Sequence, residues 1–204
     1  MIRLRSALLA VAAAVLLGAC GSAPIHLYTL ASAAPATVND NSSFAMLLDP
    51  VSVPRSADIP QLVITAPDGR SHLTEDHRWR APLADEIGTA LAQQLREQFG
   101  ISDFSRVSAP EDLKLFRVRV DVQRFESLAD GQVLVTAAWS LRAADAKSAA
   151  LTCVSQLQQP AGADYAALVR AYRSAIAGLA TQIGRGLESL ARTPTAGACP
   201  TMGA

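Results

Sequence analysis

Between residues 116 and 123 apolar and polar side chains alternate without a break. Phe116, Val118, Val120 and Val122 fall on one side of an extended chain; Arg117, Arg119, Asp121 and Gln123 fall on the other. Only a strand has that period of two, and only a sheet covered on one face rewards it. Asp130-Gly131 then marks a turn. Residues 132–142 supply a second strand, with Trp139 on the face of Val133 and Val135, and residues 150–158 a third that contains Cys153. The three read as an antiparallel meander with one face in the core.

That face needs a cover, and two helical stripes supply it. After Pro82, a residue suited to the first turn of a helix, Leu83, Ile87, Leu91, Leu95 and Phe99 recur every four residues until Gly100. Asp164 is placed to cap a second helix whose stripe is Leu168, Tyr172, Ile176, Leu179 and Ile183. Gly178, Gly184 and Gly186 weaken its last turns. Ahead of these elements, the apolar run 44–53 ends before Pro54 and reads as a central strand. Residues 62–65 and 71–77 form a hairpin around Pro67-Asp68-Gly69. The expected fold is α/β: one domain with a mixed, mostly antiparallel sheet and two long amphipathic helices packed on it.

The first twenty residues do not belong to that domain. Arg3 and Arg5 precede about twelve apolar residues, too few for the ~20 that span a bilayer. Leu17, Gly18, Ala19 and Cys20 close the run. A basic start, a short apolar stretch and small residues make a secretory signal peptide. The last four residues have the form of a lipobox, in which the Cys20 thiol takes a diacylglycerol and, after cleavage, its amine a third chain such as palmitate. Three chains at ~0.8 kcal/mol per buried CH₂ make a durable anchor. The expected division is 1–19 signal peptide, 20–43 lipidated N-terminus and tether, 44–192 folded domain and 193–204 tail. The tether rests on residues 31–43, small and polar.

Charge and motifs exclude much chemistry. Eighteen basic and eighteen acidic residues leave no net charge, which argues against nucleic acid bound through a broad basic face. No GxSxG, P-loop, HExxH or dinucleotide fingerprint occurs, and no cysteines or histidines have metal-ligand spacing, so no enzyme, cofactor or metal is expected. His26 falls in the tether, and Glu75-Asp76-His77 reads as a solvated edge. With Cys20 acylated, two thiols remain in an oxidising compartment: Cys153 and Cys199. A bridge would pin the tail to the sheet. The alternative, a reactive thiol, has no neighbouring base in the sequence.

Short words further resemble a known family. His26-Leu27-Tyr28-Thr29-Leu30 is similar to its Y-x-L segment. Val51-Ser52-Val53-Pro54 and Pro60-Gln61-Leu62-Val63 are similar to its V-x-V-P and P-Q-hydrophobic words. Arg78-Trp79-Arg80-Ala81-Pro82-Leu83 is similar to its R-W-x-x-P-L helix entry, and Phe125 and Trp139 fall where it carries aromatics. The resemblance, over about residues 20–190, is to the ABC-type transport auxiliary lipoproteins, which include the PqiC/YmbA-like proteins. The 143–150 loop and the Cys199 tail depart from the family pattern.

The resemblance implies a non-catalytic lipoprotein of the Gram-negative outer membrane, its domain facing the periplasm. Its partners would be an MCE-domain protein with an ABC permease and ATPase, and copies of itself in a ring. It would dock an intermembrane lipid transport assembly at the outer membrane and so support membrane integrity. Residue type marks Arg78, Trp79, Arg80 and Leu83 as partner-binding candidates, with core packing as the competing role for Trp79. Two other functions fit the same chain: a lipid-binding lipoprotein of the periplasm, and an envelope scaffold that regulates a cell-wall enzyme.

Overall fold

A computed structural model describes residues 24–32, 42–66, 68–128, 130–144, 151–162, 164–193 and 198–200. The lipobox residues Leu17, Gly18, Ala19 and Cys20 lie outside the described residues, as do 145–150 of the alanine-rich loop and most of the tail. In chain order the elements are β1 (His26–Tyr28), β2 (Phe44–Leu48), β3 (Gln61–Thr65), β4 (Ser71–Trp79), α1 (Leu83–Phe99), β5 (Lys114–Leu128), β6 (Gln132–Ala143), β7 (Leu151–Pro160) and α2 (Tyr165–Arg192).

The α/β domain has two mixed sheets where the sequence suggested one. The larger runs β2-β5-β6-β7, the smaller β1-β4-β3. The meander β5-β6-β7 is antiparallel throughout, as its alternation requires. A bulge between Val122 and Arg124 shifts the phase of β5, so that Val122 and Phe125, three apart, are both buried. That bend carries the end of β5 towards β3, where the Ser127 hydroxyl accepts from the Thr65 amide and donates to the Val63 carbonyl. The two sheets meet there.

β2 corrects the expected central strand. It lies at the edge, parallel to β5. Its outer side is capped by the 102–104 segment: the Met46 amide donates to the Ser102 carbonyl, and the Phe104 amide to the Met46 carbonyl. The apolar run therefore reflects burial of both faces, since Phe44, Ala45, Met46 and Leu48 are all buried, not a central position.

α2 lies on β6 and β7, and α1 packs along α2. Both stripes are inside: Ile87, Leu91 and Leu95 from one, Ile176, Leu179 and Ile183 from the other. Pro82 is the N-cap of α1, one position before the first turn, and Gly100 ends that helix with φ 67°. Asp164 caps α2 as its sequence position suggests, its carboxylate accepting from the Ala167 amide at 2.6 Å. The glycines do not weaken the end of α2. A Cβ at Gly184 would sit 2.3 Å from the Phe99 ring, and one at Gly186 2.9 Å from Leu141, so their absence lets α1 and the sheet approach.

The segment after Cys20 also differs from the sequence reading. His26–Tyr28 is not tether: it pairs in parallel with β4. Leu30 is buried. The polar stretch 31–43 thus connects two strands of the fold rather than the fold to a membrane.

Candidate functional site

Several charge-assisted bonds gather around that first segment, and α1, α2 and the end of β4 all reach into it. Glu86, in the first turn of α1, is buried. Its carboxylate accepts from the Thr29 hydroxyl at 2.6 Å and from the Leu30 amide at 2.8 Å. A buried carboxylate is costly unless its oxygens are satisfied, and the helix N-terminus further favours the charge. From α2, the Arg173 guanidinium donates twice to the Thr29 carbonyl, at 3.0 and 2.7 Å. From the end of β4, Arg80 donates to the Thr29 hydroxyl oxygen at 3.3 Å and stands 3.9 Å from Glu86. Thr29 and Leu30 are held from three directions by ionised partners, the stronger class of hydrogen bond.

One strand turn earlier the hold is aromatic. The His77 ring stacks on Tyr165 at 3.7 Å between centroids and on His26 at 4.9 Å. The Tyr28 hydroxyl shares a 2.8 Å hydrogen bond with His77 Nδ1. Burial pushes the Tyr28 phenol above its usual pKa, and the nearby Asp164 and Asp76 carboxylates push it further. His77 is therefore a joint between β1, β4 and α2 rather than the solvated edge that its acidic neighbours suggested.

The family-like words meet at this place. Tyr28 lies opposite Trp79, and Gln61 opposite Arg78. The Trp79 amide donates to the Pro60 carbonyl and the Arg80 amide to the Tyr28 carbonyl. Of the four candidate contact residues, Trp79 and Leu83 are buried. Trp79 packs edge-on against Phe125 and Tyr172, at 6.0 and 6.1 Å, and those two rings stack at 4.1 Å. Its surroundings make Trp79 a core residue. Arg80 is exposed and Arg78 half-buried.

Thr29, Glu86 and Arg173 escaped the sequence reading. Thr29 was visible only inside the family-like word 26–30, and Glu86 only as a carboxylate three residues after Leu83 beside the apolar stripe.

Elsewhere a groove of about 520 Å³ opens between the end of β2, α1 and the 103–106 loop. Several of its polar groups serve one another. Arg117 pairs with Asp49 at 2.6 Å, and Asp103 accepts from the Leu48 amide and from the Ser105 amide and hydroxyl. Among the described residues no three His, Cys, Asp or Glu side chains gather as a metal would need, and no helix is long and apolar enough to cross a membrane. At the opposite end of α2, Cys153 and Cys199 are joined in a disulfide, with Cα atoms 5.6 Å apart.

Known structures share this fold. A crystal structure of an uncharacterized protein superposes with a TM-score of 0.66 at 19% identity, covering 81% of this chain and 99% of its own. A Xanthomonas campestris protein assigned to family model DUF330 superposes with a TM-score of 0.60 at 18% identity, covering 83% and 99%. No curated protein matches the sequence. Residues 28–184 match the model of the ABC-type transport auxiliary lipoprotein component. The match begins at Tyr28, takes in α1 and strands of both sheets, and ends within α2: the chain belongs to the family of ABC-type transport auxiliary lipoprotein components.

Proposed function

We infer that this lipoprotein is a non-catalytic docking component of an MCE-type intermembrane lipid transport system. It is acylated at Cys20 and held at the outer membrane, with its domain in the periplasm. The observation that carries this reading is the clamp. Thr29 and Leu30, just after the first described strand, are bonded to both long helices through Glu86 and Arg173. A post that holds a membrane-spanning assembly needs a stiff join between anchor and body.

The partners are an MCE-domain protein with its ABC permease and ATPase, and further copies of this chain in a ring. Of the four contact candidates, Arg80 is the exposed one. Affinity purification of the full lipoprotein from detergent-solubilised membranes tests the reading. Co-purification of an MCE-domain protein is the expected result. A cell-wall synthase as the sole partner, or bound phospholipid with no protein partner, would overturn it in favour of a scaffold or a lipid carrier.

A further inference from the structure

The smaller sheet has one face in the core, and its other face carries exposed apolar side chains. Pairing places residues of the outer face on both sides of a register shift between Gln61 and Val63, which flank the buried Leu62. Leu27 lies opposite Arg78, Arg78 opposite Gln61, and Val63 opposite Leu73; opposed residues share a face. Leu27 and Leu73 are 62% and 58% exposed, and Ile25, just before β1, is 57% exposed. They are three of the five large apolar side chains most exposed in the described residues, and all belong to this sheet or its lead-in.

We propose that this outer face rests on the phospholipid surface that holds the anchor, with Ile25, Leu27 and Leu73 in the headgroup region. The proposal rests on acylation of Cys20, and the length of chain carries it. Five residues separate Cys20 from His26. Six steps of fully extended chain reach about 20 Å at ~3.3–3.6 Å per residue. The clamp on Thr29 and Leu30 removes further slack. The smaller sheet cannot leave the membrane by more than that span, whereas the 31–43 stretch, which would have allowed tens of ångströms, lies beyond the clamp. Apolar side chains flanked by a cation, here Arg78, are the composition that interfacial burial favours.

The same geometry sets the far pole. Tyr165 and Arg173 of α2 meet His77 and Thr29, while Gly186 faces Trp139, which lies opposite Cys153. From Arg173 to Gly186 is 13 residues of helix and from Tyr165 21, which at 1.5 Å each put about 20 to 30 Å between the two levels. The Cys153–Cys199 end lies at the other end of α2 from the clamp.

The test uses the full acylated lipoprotein in phosphatidylethanolamine–phosphatidylglycerol vesicles that carry a headgroup-attached quencher. The native cysteines are occupied by acylation and the disulfide, so a fluorophore is attached at L27C, L73C or, as the distal control, V154C. Mass spectrometry first reads the acylation of Cys20. Labels at positions 27 and 73 should be quenched several-fold more than the label at 154. An acylated protein whose labels at 27 and 73 are quenched no more than that at 154 would overturn the proposal and leave the anchor standing. Labels shielded from a water-soluble quencher, yet untouched by the lipid-borne one, would also overturn it and put a protein on this face. A protein without acyl chains would overturn anchor and proposal together.

Discussion

Arg173 donates two hydrogen bonds to the carbonyl of Thr29, a residue 144 positions earlier in the chain. The last helix thus holds the first strand directly, without a strand between them. Because the donor is ionised, the pair is worth more than a neutral bond, ~2 kcal/mol in all. Arg173→Ala should destabilise the domain by about that amount in urea denaturation, with Arg173→Lys in between because a lysine cannot fork onto one oxygen. Hydrogen exchange at the Leu30 amide should accelerate in the alanine variant. Unchanged exchange there would mean that Glu86 holds the segment alone.

Two glycines in the helices should respond in opposite directions. A Cβ at Gly88 would meet only Val51, at an ordinary 3.6 Å. Gly88→Ala should therefore stabilise by ~0.5–1 kcal/mol through helix propensity. At Gly184 the Cβ would fall inside the Phe99 ring's contact distance, and overpacking costs about 1–3 kcal/mol. Thermal melts of the two variants should shift to either side of the parent, and a gain in Gly184→Ala would refute the close approach of the helices.

The disulfide spans 46 residues that include most of β7 and all of α2. In the chain-entropy model such a closure stabilises by at most ~4 kcal/mol. Cys199→Ala should lower the denaturation midpoint by a corresponding amount and leave the buried Cys153 as a small apolar side chain. Thiol titration of the unfolded exported domain should find no free thiol before reduction. Two free thiols there would remove the bridge from the account.

Regular periodicity carried most of the fold. The meander was legible because Phe116–Val122 obey a period of two, and the helices because their stripes recur every four residues. β1 was not: three residues cannot establish a period, and its role depends on partners 49 to 144 positions away, such as His77 and Arg173. β2 misled because an edge strand capped by a loop is buried on both faces and reads like a central one. The clamp was hidden for a different reason. Thr29, Glu86 and Arg173 are ordinary surface residue types, and only the fold makes Glu86 a buried acceptor. The words of the family resemblance were legible as words, and the structure shows what joins them: Tyr28, Pro60, Gln61, Trp79 and Arg80 are neighbours in one small sheet.

Under the proposed function the N-terminal segment has one task, to tie an acylated Cys20 to the folded domain. Fractionation of membranes from cells that express the parent or Cys20→Ala tests that task most directly. The account predicts that the parent, starting at an acylated Cys20, sediments with the outer membrane and that the variant does not. A Cys20→Ala protein that still sediments with the outer membrane as the parent does would contradict it.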